Sequence, residues 1–255
     1  MAIPGQVTDF TRLESHLVQY PSVGAAIDAY LVQPQAPGRY PGVIVIHEAF
    51  GPVEHIHDVA HRLANQGYIA LAPNLYSRVG TPSPSNTEEV FSKMFALSDE
   101  QVVNDLNNGA RFIQSLPHAS GRVGAMGFCS GGRQSLLFAS SSREVDAAID
   151  CWGGFIRKAT PNDLTTKSRP TPVIDLVDNL HCPLFVVIGE EDHNPSPEDG
   201  DALKRRLEQH HKAFQYKVYQ EAGHAFFADY RANYREGAAF KLWDDVLEFF
   251  GTHLK

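Results

Sequence analysis

Arg122-Val123-Gly124-Ala125-Met126-Gly127-Phe128-Cys129-Ser130-Gly131-Gly132-Arg133-Gln134-Ser135-Leu136-Leu137-Phe138-Ala139 is the stretch whose reading decides the fold. An apolar, strand-like run enters it and a helix-like run leaves it, with Gly-x-Cys-x-Gly between them. Strand, Gly-x-nucleophile-x-Gly, helix is the context of a nucleophile elbow. The central residue of such a corner takes an unusual backbone angle, and small neighbours let strand and helix crowd together. Cysteine stands here where serine is usual. A thiol ionises more readily than an alcohol, so it needs less help to attack. Read alone, the stretch also fits a tight turn around an inert, buried cysteine.

Outward from the elbow, the chain alternates strand and helix signals. Ser15–Tyr20 and Ala25–Val32 read as strands, and Val43–His47 is a β-branched run of the kind buried on both faces. A helix is expected over His55–Gln66, closed by Gly67, before a strand at Tyr68–Ala72. Asn74–Ser98 is polar and rich in Pro, Ser and Thr, and reads as an excursion over the sheet and a candidate lid. Helix Asp99–Leu116 leads into the elbow strand. Beyond the elbow helix come strand Asp146–Cys151, an irregular Phe155–Leu180, strand Leu184–Gly189, helix Pro197–His211, strand Gln215–Gln220 and a C-terminal helix over Asn233–His253. Strands alternating with helices imply an α/β fold, a mostly parallel sheet covered on both faces. No linker or repeat divides residues 1–255, which read as a single domain.

A nucleophile needs a base, and the base needs an orienting group. In this chain order the acid comes next and the histidine last. Strand Leu184–Gly189 runs into Glu190-Glu191-Asp192-His193, and strand Gln215–Gln220 into Glu221-Ala222-Gly223-His224. Cys129, Asp192 and His224 thus all fall just beyond the carboxyl ends of expected parallel strands, where open α/β sheets place their sites. Taken singly, Asp192 reads equally as a cap for the next helix and His224 as a packed surface histidine. After Val43–Ile46 comes His47-Glu48-Ala49-Phe50-Gly51. The N–H of Ala49 and that of Ser130 are the expected halves of an oxyanion hole. Glu48, a carboxylate beside a buried strand end, is a candidate second base. Phe50, Trp152 and Phe226 are candidates for the pocket wall, with core packing the alternative for Trp152 and Phe226.

Bulk properties narrow the class. The chain has 255 residues, 22 basic and 30 acidic side chains and a net charge of −8, which disfavours nucleic acid and anionic membranes as partners. No stretch approaches a membrane span, no secretory signal is visible, and three cysteines make no even disulfide set. A cytoplasmic protein is the expectation.

Five segments taken in order resemble the dienelactone hydrolase family of the α/β-hydrolase fold: His47–Gly51, Gln66–Ala70 with Pro73–Tyr76, Gly127–Gly132, Gly189–His193 and Glu221–Phe226. The resemblance implies Cys129 as nucleophile, His224 as base and Asp192 as its orienting acid, with Glu48 touching the thiol and helping to activate it. The expected partner is a small-molecule ester or lactone, with no cofactor, and the expected state is a monomer or small homo-oligomer. Family members that act on dienelactone hold the substrate carboxylate with arginines, one of them shortly after the catalytic histidine. Ala228 stands at that position here and Arg231 lies further on, so dienelactone itself is not the expected substrate.

Other readings of the same residues are a metal site at His55, His57 and His61, a ligand-binding protein on the same scaffold, and a thioesterase or acyltransferase. His57 and His61 share a helix face, but no carboxylate or cysteine pattern completes a metal site, and a solvated face is the preferred reading. Arg157, Lys158 and Arg169 read as an ordinary charged loop, with a place on the pocket rim as the alternative.

Overall fold

The computed structural model describes residues 2–157 and 166–255. Eight strands form one sheet in the order β1-β2-β4-β3-β5-β6-β7-β8. The first two, β1 (Leu13–Ser22) and β2 (Ala25–Pro34), pair antiparallel, and β2 is antiparallel to β4 (Ile69–Pro73). From β4 onward every pairing is parallel, through β3 (Tyr40–Ile46), β5 (Ala119–Phe128), β6 (Ala147–Cys151), β7 (Leu184–Gly189) and β8 (Phe214–Tyr219). The chain order of the central strands reverses beside β3, which opens a crevice at their carboxyl ends.

Residues alternate between the two faces of each central strand, and each face builds its own core. Ile44, Ile46 and Ala125 face helices α3 (Asp99–Gln114) and α4 (Ser130–Ser141), whereas Val43, Val45 and Met126 face α1 (Glu54–Asn65) and α6 (Glu236–Leu254). Helix α5 (Pro197–Gln209) starts at Ser196, whose side chain accepts from Asp199 N while Asp199 accepts from Ser196 N. This reciprocal cap fixes where the β7 loop ends.

The expected elements are present with shifted ends. The proposed lid segment contains a ten-residue helix, α2 (Thr87–Ala96), capped by Asn86. Val90 and Met94 on its inner face pack on Ala49 and Phe50, so the excursion is anchored to the loop after β3. The C-terminal helix starts three residues later than expected. Asn233 and Tyr234 lie in turns, where Tyr234 N donates to Arg231 O and Arg235 N to Phe226 O. Lys158 lies outside the described residues.

Two glycines make the β5–α4 corner possible. A Cβ at Gly127 would stand 1.9 Å from Gly131 O, and one at Gly131 would stand 2.3 Å from Ile46 O. Both neighbours are backbone, which has no room to yield. Gly127→Ala is expected to cost about 3 kcal/mol or more, measured as loss of stability in urea unfolding. A wild-type midpoint would mean the corner is looser than its contacts indicate.

Candidate active site

The corner places Cys129 at φ 56 and ψ −118. A non-glycine residue in this region is strained by an estimated 1–3 kcal/mol and persists only when its surroundings hold it there. Cys129 N donates to Cys151 O at 3.0 Å, and Arg133 N donates to Cys129 O at 3.2 Å. The thiol is therefore lifted off the end of β5 at the first turn of α4 and faces a cleft of about 770 Å³.

The loops after β7 and β8 bring Asp192 and His224 to the same cleft. Asp192 is buried, and its two oxygens are used separately. Oδ1 accepts from Asn194 N at 2.9 Å, and Oδ2 accepts from His224 Nδ1 at 2.8 Å. Burial alone would lower the pKa of His224. The hydrogen bond to Asp192, followed by the interaction with Cys129, outweighs burial and raises it to about 10. Cys129 and the ring of His224 line the same cleft, and the interaction between them adds to the upward shift of the imidazole.

On the opposite wall, Glu48 is nearly fully buried. Its Oε2 accepts from Arg231 Nη2 at 2.8 Å and from Tyr230 Oη at 3.2 Å. The resemblance implies that Glu48 touches the thiol; the hydrogen bonds its carboxylate makes are to Arg231 and Tyr230. The cause lies in the stretch after His224, which turns at Ala225 (φ 61) and carries Tyr230 and Arg231 back over the end of β3. Arg231, seven residues beyond the histidine, thus reaches the cleft that position Ala228 does not, since Ala228 is buried outside it.

The loop after β3 is held from below. His47 is buried; its Nδ1 lies 2.6 Å from Glu48 O, and its Nε2 accepts from Leu75 N at 3.2 Å. Burial lowers its pKa to about 4, so the ring is neutral, with the proton on Nδ1 assigned from these partners. Tyr76 Oη donates to Ala49 O at 2.9 Å. With that carbonyl fixed, the N–H groups of Ala49 and Ser130 have no backbone acceptor among the described residues, as two oxyanion donors require.

Two wall candidates from the sequence lie elsewhere. Phe50 lines the cleft, but Trp152 and Phe226 are in the core beneath it, 1% and 0% exposed, with ring centroids 4.9 Å apart. Both belong to the α1/α6 face, where Phe128 and Phe227 complete the cluster. Of the loop cations, Arg157 pairs with Glu198 and Asp199 on the surface. Arg169 instead is buried and lines the cleft, with Nε donating to Leu97 O at 3.2 Å and Nη2 to Met94 O. Arg133 is buried in a two-pronged pair with Asp99 at 2.8 and 3.2 Å.

The three histidines of α1 do not converge. His57 and His61 pack on Tyr30, with centroids at 4.2 and 5.6 Å, while His55 turns to Asp229 at 3.0 Å. His55, Asp58 and Asp229 do cluster, but Arg62, fully buried, pairs with both carboxylates. That charge balance serves a structural anchor for the segment leading to Tyr230 and Arg231.

A strained residue at the β5–α4 corner, met by an acid and a histidine from the next parallel strands on this sheet, is the architecture of an α/β-hydrolase. The profile of the Dienelactone hydrolase family matches residues 27–254, and the chain belongs to that family of hydrolases. A relative from Salmonella typhimurium named "Putative carboxymethylenebutenolidase" is 32% identical over 244 residues, spanning 94% of this chain and 88% of the relative. An Escherichia coli K12 protein of the same name is 35% identical over 233 residues, 90% of this chain and 84% of that protein. The crystal structure of a "Putative Dienelactone Hydrolase" from Klebsiella pneumoniae superposes with a TM-score of 0.87 at 31% identity, covering 94% of this chain and 99% of that one. No helix among the described residues is long and apolar enough to cross a membrane.

Proposed function

We propose that the protein hydrolyses carboxylic esters or lactones through a Cys129–His224–Asp192 triad and a thioester acyl-enzyme. The observation that carries this reading is the strained Cys129 facing an imidazole whose other nitrogen is fixed on buried Asp192. The family names of the relatives, which describe a lactone hydrolase, support the same class of substrate.

The thiolate of Cys129 attacks the carbonyl carbon, and the C=O electron pair moves to oxygen between the N–H groups of Ala49 and Ser130. As the tetrahedral adduct collapses, the C–O bond to the alcohol breaks and protonated His224 donates to the departing oxygen. Neutral His224 then takes a proton from water, whose oxygen attacks the thioester, and collapse returns the sulfur as thiolate. Asp192 holds the tautomer and stabilises the imidazolium throughout. Amides are poor substrates for this site. A thiolate leaves more readily than an amine, so the adduct reverts unless the amine is protonated first.

Glu48 is assigned to the same machinery as a second base for the thiol proton and through its grip on Arg231. Glu48→Gln keeps hydrogen-bonding capacity and removes the charge. It is expected to lower kcat/KM by about 10²-fold and to slow Cys129 alkylation by iodoacetamide at pH 7. Wild-type values in both assays would remove Glu48 from the mechanism. The whole proposal is tested by mass spectrometry of the protein quenched during turnover of p-nitrophenyl acetate. An added acetyl group on the peptide containing Cys129 is expected; acetylation at another side chain, with none at Cys129, would overturn it.

A further inference from the structure

The cleft has one wall that the reaction does not use. Phe91, on α2, and Phe155, after β6, both line it and are 46% and 44% exposed. Phe95 lies behind them. Its ring is stacked on Phe91 with centroids 6.3 Å apart and meets Phe155 edge-on at 5.3 Å. The Arg169 guanidinium sits 5.4 Å from the Phe95 centroid and is itself fastened to the carbonyls of Met94 and Leu97. Three rings from two separate segments thus form one braced surface at the mouth of the cleft.

Phe155 is held there against its backbone preference. Its φ is 56, a region that bulky side chains rarely adopt and that is retained where surrounding structure imposes it. Phe155 N donates to Asn194 Oδ1 at 3.3 Å, and Asn194 N donates to Asp192 Oδ1 at 2.9 Å. The presentation of the ring is therefore tied to the loop that carries the acid of the site. Simple packing does not explain a strained aromatic left nearly half in water, because an apolar ring gains from burial. A ligand that covers the ring does explain it.

We propose that Phe91 and Phe155 form a specificity shelf that selects esters or lactones bearing an aromatic ring. The proposal rests on the hydrolase reading above and adds the class of substrate. A flat ring can lie against Phe91 or meet the edge of Phe155 within the 4.5–7 Å range of favourable aromatic pairs. An alicyclic group of the same size gains the burial but not the aromatic geometry.

Two matched pairs isolate that difference. Benzyl acetate against cyclohexylmethyl acetate tests the alcohol side, and methyl phenylacetate against methyl cyclohexylacetate tests the acyl side. In at least one pair the wild type is expected to favour the aromatic member in kcat/KM by about two- to tenfold. The double variant Phe91→Leu/Phe155→Leu is expected to bring that ratio to about one. The ratio does not depend on how much of the variant is active. A wild-type ratio near one in both pairs, or a preference that survives in the double variant, overturns the shelf while leaving Cys129-dependent hydrolysis intact. Turnover that persists in Cys129→Ala overturns the Cys129 triad reading on which the shelf rests.

Discussion

Cys129→Ala lowers turnover of p-nitrophenyl acetate by about 10⁴-fold or more, leaving only the residual acceleration that the oxyanion hole and substrate binding supply, if the triad operates as a unit. The variant keeps the corner backbone and removes only the sulfur, so the urea midpoint should stay close to that of the wild type. Equal loss of folding and activity would mean that the residue supports the corner and says nothing about chemistry. Undiminished turnover by a folded variant would end the nucleophile assignment. Cys129→Ser is the finer test. In the proposed triad the imidazole is paired with a thiol, a class of group that ionises far more readily than an alcohol. The serine variant is expected to fall well below the wild type, and full retention would show that thiolate character is dispensable.

Asp192→Asn should reduce kcat/KM by about 10²- to 10⁴-fold and change its pH dependence in a defined direction. Burial pushes the His224 pKa down, and Asp192 with Cys129 pushes it up to about 10 from an ordinary 6.5. Protonated His224 is therefore favoured in the folded state. The stability this contributes is fully present below pH 6.5 and is lost as pH rises through about 10. Removing the Asp192 charge takes away the largest upward influence, so the alkaline limb of kcat moves to lower pH. The Tm difference between wild type and variant should be widest in acid and shrink above about pH 10. A difference that grows with pH would contradict the ion pair.

The β5–α4 corner was legible from the sequence because its glycine spacing is a local pattern, even though one of the crowding oxygens belongs to β3. Gly127 and Gly131 leave room for backbone oxygens at 1.9 and 2.3 Å, and no other residue type fits there. Asp192 and His224 were legible because parallel strands deliver their carboxyl ends to one edge, so chain order translates into position. Arg231 could be seen but not placed, since its reach depends on the turn at Ala225 and on Asp229, which His55 and Arg62 anchor across the fold. Trp152 and Phe226 were left open between cleft and core for the converse reason. An aromatic at a strand end can face cleft or core, and Trp152, at φ 45, is buried against Phe128 and Phe226.

By itself the sequence determined the layered α/β architecture, the corner and the three groups gathered there, all set by periodicity, glycine spacing and chain order. Only the tertiary structure decided that Glu48 faces Arg231 and Tyr230, that Arg169 braces α2, and that Phe91 and Phe155 share a wall. Each of these joins segments far apart in the chain, and such contacts depend on how whole elements pack, which no local pattern encodes.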